Sequence, residues 1–426
     1  MRIRPLFFLA LGLPGLAMAN SCPQTMERLS VGNPEFIFYA NLENDFATAG
    51  AFLSEMYLGY LQTAPQVPPI PVDFRALFNR LGLGNLNSVA MVSEASPKGG
   101  FLNQSLFVFD GAPGGVFLIA GSGNQPFGIL REAPADADLI AEFNFNGPAL
   151  YQIIRALVID FMGPLGEGII DGQMSQPLNE QGLTLQDLVN QSRTRIQIAM
   201  RPNYDMLGVP GFVAMLQGNG IIRIAGMGNL LPTLDPFLQQ AGFVRDGDRR
   251  KGVFPIPQAG FISLILEALP DSNDLLISLT DDSRDWFFSQ EGGRDPSPAL
   301  AKALAGLPTE GLSFWYVHER VGELQIDRMD QAIPAENPAA PLLGKLKGFL
   351  KKYTGPQAGV ALLEEDAYHV LSWQPVSYKT HLALAGLGVP VGLAAAVAAE
   401  EARKAQEADG QAEQTGEAEP EPSPAE

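Results

Sequence analysis

The sequence predicts an α+β protein: antiparallel sheets with helices packed on one face, in two similar strand–helix–meander modules plus a smaller C-terminal module. Three observations lead there. Apolar residues alternate with period two in some stretches and recur at helical spacing in others. Gly, Pro, Asn and Asp clusters break the chain between these stretches. And one strand–helix unit occurs twice in the same setting, which points to an internal repeat.

The first module covers residues 34–130. Its opening stretch, residues 34–60, reads PEFIFYANLENDFATAGAFLSEMYLGY. Phe36, Phe38, Ala40 and Leu42 alternate with Ile37, Tyr39 and Asn41, as a strand requires. Asn44 or Asp45 then caps a helix with Phe46, Ala49, Leu53, Met56, Tyr57 and Tyr60 on one face. Residues 62–72 are a Pro-rich extended connector. A short amphipathic segment (Phe74, Leu77, Phe78, Leu81) leads into a strand at 88–93. Two further strands follow, the last ending in Phe117-Leu118-Ile119-Ala120-Gly121.

The second module, residues 131–290, has the same order. Residues 139–145 form the strand, Asn146 is the N-cap, and Pro148 suits the first helical turn. Leu150, Ile153, Ile154, Leu157 and Phe161 make a stripe expected to be buried. Leu183, Leu185, Leu188 and Val189 lead into a strand at 195–200. A hairpin is expected over 212–226, with FVAMLQ turning at Gly218-Asn219 into GIIRIAG. A helix over 229–242 is stopped by Gly242 in the left-handed conformation. RDGDRRK (245–251) is a charged turn, and the prolines of residues 253–257 confine that strand to an edge. Residues 261–266 and 275–280 form a hairpin.

The smaller module covers residues 296–376, and within it a third, looser unit is expected from Leu312 to Trp373. Asp295-Pro296-Ser297-Pro298 is a breaker followed by a helix carrying Leu300, Leu304 and Leu307. SFWYVHE is a strand, LLGKLKGFLKKY an amphipathic helix, and GVALLEEDAYHVLSW a hairpin turning at Glu365-Asp366.

Both termini differ in character from the modules. Residues 1–19 have a secretory signal pattern: Arg2 and Arg4, an apolar run, then Ala17-Met18-Ala19, so the mature chain is expected to start at Asn20. Cys22 is the single cysteine, which excludes an internal disulfide. A lipid anchor on Cys22 is the alternative reading, but Ala19 stands where such signals carry a larger apolar residue. Residues 382–399 are uncharged, Ala/Gly-rich and interrupted by Pro390: a weak membrane helix, a docked helix and a surface helix are all open. Residues 400–426, acidic and without large apolar groups, are expected to be disordered.

Strand–helix units such as LIAEFNFNGPALYQIIRAL, each followed by a meander, resemble uncharacterised repeat-containing secreted proteins of bacteria. The likeness spans residues 34–376, is one of pattern, and carries over no activity and no site residue.

The formal net charge of −19 excludes nucleic acid as a natural partner, because phosphates would repel the chain. No nucleophile elbow, His-Glu-x-x-His pair or phosphate-cradling loop is present, and no cofactor or metal motif is matched. Of the three histidines, His318 and His369 sit on apolar strand faces as core or rim residues, and His381 flanks the apolar segment. The one carboxylate cluster is Asp281, Asp282 and Asp285, beside Trp286 and Phe287. Two readings apply: an acid/base pair or oxygen-ligand site beside an aromatic platform, or a solvated strand end at which Asp282 or Ser283 caps a short helix. Lys345, Lys347, Lys351 and Lys352 line one helix, either as its wet face or as a contact for an anionic membrane surface.

The expected function is therefore an exported, non-enzymatic structural or binding component of a bacterial cell envelope, periplasmic or extracellular, touching an envelope protein or membrane surface. A carboxylate-based hydrolase of envelope or extracellular glycans and a carrier of lipid-like ligands are the alternatives. A hydrolase needs two carboxylates about 5–10 Å apart across a cleft. A carrier needs an apolar cavity of at least about 300 Å³. A scaffold needs an extended exposed patch.

Overall fold

The structure, a computed structural model, describes residues 21–29, 32–63, 72–178, 182–206, 211–256, 260–289, 297–328 and 340–383. Residues 1–19, on which the secretory signal is expected, most of the Pro-rich connector, residues 384–399 of the apolar segment and the acidic residues 400–426 lie outside the described residues.

Helix α1 (Ser21–Arg28) precedes β1 (Pro34–Asn41), α2 (Asp45–Thr63), α3 (Phe74–Arg80), β2 (Leu86–Ala95) and β3 (Phe101–Phe109). A 3₁₀ turn at Gly115–Leu118 leads through β4 (Gln125–Pro126) to α4 (Ile129–Glu132). Next come β5 (Leu139–Asn146), α5 (Gly147–Met162), α6 (Pro164–Met174), α7 (Leu185–Gln191), β6 (Arg193–Arg201), α8 (Gly211–Leu216) and β7 (Asn219–Ile224). The chain continues through α9 (Leu231–Gln240), β8 (Val244–Asp246), β9 (Arg249–Ile256), β10 (Gly260–Leu269), β11 (Asp274–Ser278), α10 (Ser283–Phe288) and α11 (Pro298–Leu304). Last are β12 (Glu310–Gly311), β13 (Ser313–Val317), α12 (Glu319–Asp327), α13 (Ala340–Lys351), β14 (Gln357–Leu363) and β15 (Ala367–Gln374).

The fold is α+β, built on one large antiparallel sheet. Its order is β1-β2-β3-β15-β14-β13-β5-β6-β7-β11-β10-β9-β8, and β12 with β4 makes a separate small pair. The strands of residues 313–374 thus lie between those of the first and second modules. β15 pairs with β3, and β13 pairs with β5.

Period-two alternation places the core. Along β2, β5 and β13 buried residues alternate with half-buried ones. Ile140, Ala199, Ile221, Phe314, Tyr316, Ala358 and Val360 form the buried face, and Ile129, Phe287, Leu300 and Ala303 from α4, α10 and α11 close over it. A smaller cluster joins Leu29, just after α1, to Ala90, Val92, Leu106 and Ala367. Arg28 fixes α1 further, donating to Glu364 at 2.5 Å and to Asp366 at 2.9 Å across the tip of the β14–β15 hairpin.

Several local expectations match. Asn146 accepts from Ala149 N–H with Pro148 in the first turn of α5, and the helix expected after Pro298 is α11, whose cap by Ser297 the sequence pattern does not single out. Gly242 has φ 89° directly after α9. β8 pairs β9 only over Arg249–Lys251, so Val253–Ile256 has β10 as its one ladder partner.

Two expected strands are not strands. Residues 117–121 lie at a 3₁₀ turn and its exit, because Val116 N–H donates to Leu81 O and Phe117 packs among Phe107, Phe109 and Tyr368. Residues 212–216 belong to α8: Val213 and Ala214 pack with Leu324 rather than into the sheet. A Cβ on Gly218 would meet Arg201 O at 2.0 Å, so only glycine fits the turn from α8 into β7.

Residues up to Ser377 form one compact unit. A second unit starts at Tyr378, and its described residues, 378–383, are helical.

Candidate functional site

The aspartate cluster sits where the sequence places it, between β11 and α10. Its members take separate partners. Asp281 is exposed and bound by Lys251 Nζ at 2.6 Å, and Asp285, also exposed, lies 3.6 Å from Arg284. Asp282 occupies the N-cap position of α10 without a side-chain cap bond. Ser283 instead accepts the N–H groups of Thr280 and Gly220, tying the helix to β7. The expected aromatic platform is turned away: Phe287 is in the core and Trp286 donates its indole N–H to Asp136 at 3.0 Å. Among the described residues no group of three His, Cys, Asp or Glu is placed to hold a metal ion.

A cleft of about 400 Å³ adjoins Asp281. Asn203, Gln217, Ser263, Thr280 and Asp281 give it a polar lining, and Met206, Leu216, Phe261 and Leu279 an apolar one. Among the described residues Asp281 is the one carboxylate that lines this cleft, and no second carboxylate faces it from them. Its mixed lining also departs from that of a lipid cavity, which is predominantly apolar.

Buried charges elsewhere are satisfied internally. Glu142, fully buried, accepts from Gly128 N–H, Ile129 N–H, Gln197 and Arg195. Asp138, also fully buried, accepts from Tyr204 Oη at 2.8 Å and Arg320 at 2.6 Å. Burial and then the Asp138 carboxylate push the Tyr204 phenol well above its ordinary range. Burial acts to raise Asp274, but Gly226 N–H, Ser272 and Arg223 together hold it below the usual carboxylate value. His318 ends up beside β13 rather than on it, where its Nδ1 accepts Arg320 N–H at the start of α12. Lys347 and Lys351 both reach Asp327 of α12, so they join two helices.

The helices after β1 and β5 present a different surface. α2 packs on α3, α3 on α5, and α5 on α6 and α7. Gly50 makes the first contact possible, since a Cβ there would lie 2.7 Å from Arg75 Cα. Arg80 and Asp160 bridge α3 to α5 at 3.4 Å. Arg155 on α5 binds Glu167 and Asp171 on α6, each at 2.7 Å, and these bonds keep Asp171 below its ordinary carboxylate value. All four charged residues of α5 and α6 are therefore engaged within the helical layer. Large apolar residues are also exposed on these helices: Phe52, Met56, Leu58 and Tyr60 on α2, Phe161 and Met162 on α5, Leu165 and Ile169 on α6, Leu165 to 67%; exposed Glu55, Gln152, Glu167 and Gln173 stand among them. Ile154 and Phe161, expected in a buried stripe, belong to this exposed set. Leu150, Ile153 and Leu157 of the same stripe are half-buried, so the neighbouring helices cover only part of it.

Comparison with family models, curated proteins and solved structures finds no match.

Isolated exposed leucines are ordinary, whereas here several large apolar residues stand exposed on the packed pair α5 and α6. α2 is also apolar around most of its circumference, which suits a helix with neighbours on several sides.

Proposed function

We propose that this chain is an exported, non-enzymatic structural or binding component of a bacterial cell envelope, and that it works through the apolar surface of α2, α5 and α6. One observation carries the reading: the charges of α5 and α6 are all ion-paired within the helical layer, while Phe161, Met162, Leu165 and Ile169 are exposed on the same two helices. Desolvating such a surface costs little, and burying it gains about 25 cal/mol per Å². Export rests on the signal pattern of residues 1–19. The acidic balance sets nucleic acid aside as a partner.

A similar connectivity occurs three times, a first strand, helices, then two antiparallel strands of which the first pairs back on that strand; in the second case α8 stands between the two. It links β1, α2, α3, β2 and β3; β5, α5 to α7, β6 and β7; and β13, α12, α13, β14 and β15. We take these as copies of one unit whose helical insertions have diverged to serve binding.

The test is a photo-crosslinking residue at Leu165 or Ile169 in the native host, with fractionation and mass analysis of the adducts. Adducts with one envelope component, in a chain starting at Asn20, are the expected result. A chain that stays unmodified in every fraction sinks the reading.

A further inference from the structure

The two edges of the sheet are protected to different degrees. At one edge lies β8, three residues long, Val-Arg-Asp, and Pro255 interrupts the strand behind it. Short strands, charge and proline are the devices that keep an edge from pairing. At the other edge lies β1, eight residues, PEFIFYAN, with β2 as its sole ladder partner among the described residues. Its one ionisable acidic residue, Glu35, lies near the start. Ile37 and Phe38 are consecutive, so they point to opposite faces, and they are 54% and 43% exposed. The middle of this edge is therefore bare on both faces.

We infer that the outer edge of β1 pairs antiparallel with the same edge of a second copy of this chain. A two-fold axis perpendicular to the sheet keeps each side chain on its own face, so opposed residues must be an even number of positions apart. Centring the axis on Phe38 opposes Phe38 to its own copy, Ile37 to Tyr39, Phe36 to Ala40 and Glu35 to Asn41. Centring it on Ile37 opposes Ile37 to its own copy, Phe36 to Phe38 and Glu35 to Tyr39. Both registers give aromatic and β-branched cross-strand pairs and place no like charges opposite each other. A foreign strand would have to supply such a pattern, whereas the second copy already has it.

Eight residues span only about 26 Å, and one strand pairing falls short of the roughly 1,200–2,000 Å² of a stable interface. α2 begins at Asp45, directly after β1, and is the outermost helix of its layer as β1 is of the sheet. Its exposed Phe52, Met56, Leu58 and Tyr60 supply the remaining apolar area. The inference rests on the binding reading above for α2 alone; the strand pairing stands without it.

Analytical ultracentrifugation of the full mature chain tests this. A dimer is expected, with Ile37→Lys weakening association at least about 10-fold and Val244→Lys, at the opposite edge, leaving it unchanged. Circular dichroism reports whether each variant is folded. A second measurement needs no loss of function: in a Cys22→Ser background, Ile37→Cys or Phe38→Cys should form a disulfide-linked dimer on mild oxidation. Directly opposed residues lie about 4.5–5.5 Å apart, within disulfide reach. Val244→Cys should not cross-link. A monomer at all concentrations, a dimer indifferent to Ile37→Lys, or cross-linking at neither position overturns the inference. Because the in-cell adducts are read from α6, failure of this dimer and failure of the envelope-binding reading are seen separately.

Discussion

Glu142 and Arg195, on the neighbouring strands β5 and β6, form a 3.0 Å ion pair in which the carboxylate is fully buried and the guanidinium reaches the surface. Arg195 also donates to Pro126 O and to Gln125, so the pair anchors the segment that runs into α4. Glu142 completes the anchor by accepting the first N–H groups of that helix. Removing one member of a buried pair strands the other and typically costs about 3–5 kcal/mol. Glu142→Ala should lose stability in that range in urea unfolding, and Glu142→Gln distinctly less, because the amide oxygen still accepts from Ile129. Equal losses would mean that the helix contact is unimportant.

The exposed and buried apolar positions should respond in opposite ways. Ile140 is 1% exposed within the main core, and Ile140→Ala should cost about 2–5 kcal/mol. Phe161→Ser with Leu165→Ser should change stability by less than about 1 kcal/mol, since surface substitutions are usually within ±0.5 each. The pair should nevertheless abolish the in-cell adducts. Destabilisation by the double variant would show that α5 and α6 are covered within the protein itself.

Much of the fold is legible in the sequence, for local reasons. Asn146 and Gly242 act where their side chains or φ preferences operate, within three or four residues. The hairpin tip at Glu365-Asp366 is local too. Residues 117–121 and 222–226 show where that stops. They share an Ile-x-x/Ile-Ala-Gly ending, yet one exits a 3₁₀ turn and the other ends β7, because different partners hold them. The placement of β15 and β14 between β3 and β13 depends on pairings hundreds of residues apart. The candidate surface was half legible: the apolar stripes could be found, but only the assembled helices show which of them lie uncovered.

Gly50 sets two effects against each other. It lies inside α2, where alanine would improve helix propensity by about 1 kcal/mol. But a Cβ would fall 2.7 Å from Arg75 Cα and 2.8 Å from Arg75 N, both backbone atoms that cannot swing aside. Overpacking costs typically about 1–3 kcal/mol, so the steric term wins and Gly50→Ala should be net destabilising. Gly59→Ala, in the same helix with open space around it, should be neutral or stabilising. Thermal melts of the two single variants should therefore move in opposite directions; a common direction would mean that α2 is not seated on α3 through Gly50.

His369 gives the acid limb of stability a feature that carboxylates alone would not. It is buried on β15, and burial pushes its imidazole below the ordinary histidine range, against the pull of Glu364 at 3.3 Å. The folded state therefore prefers the neutral ring. In the unfolded chain the ring titrates near its usual value of about 6.5. Its contribution is complete above that pH and is lost as pH falls toward the lower folded value, where the unfolded state takes up the proton first. Asp187, Asp235 and Asp274 are held below their ordinary values too, but their contribution disappears only below about pH 4. Urea stability should accordingly fall in two steps on acidification, the first beginning near pH 6.5. His369→Leu should shrink that first step, which His381 shares because burial lowers its imidazole too, and leave the second. If the wild-type curve is flat from pH 7 to 5, the ring is not held neutral by its burial.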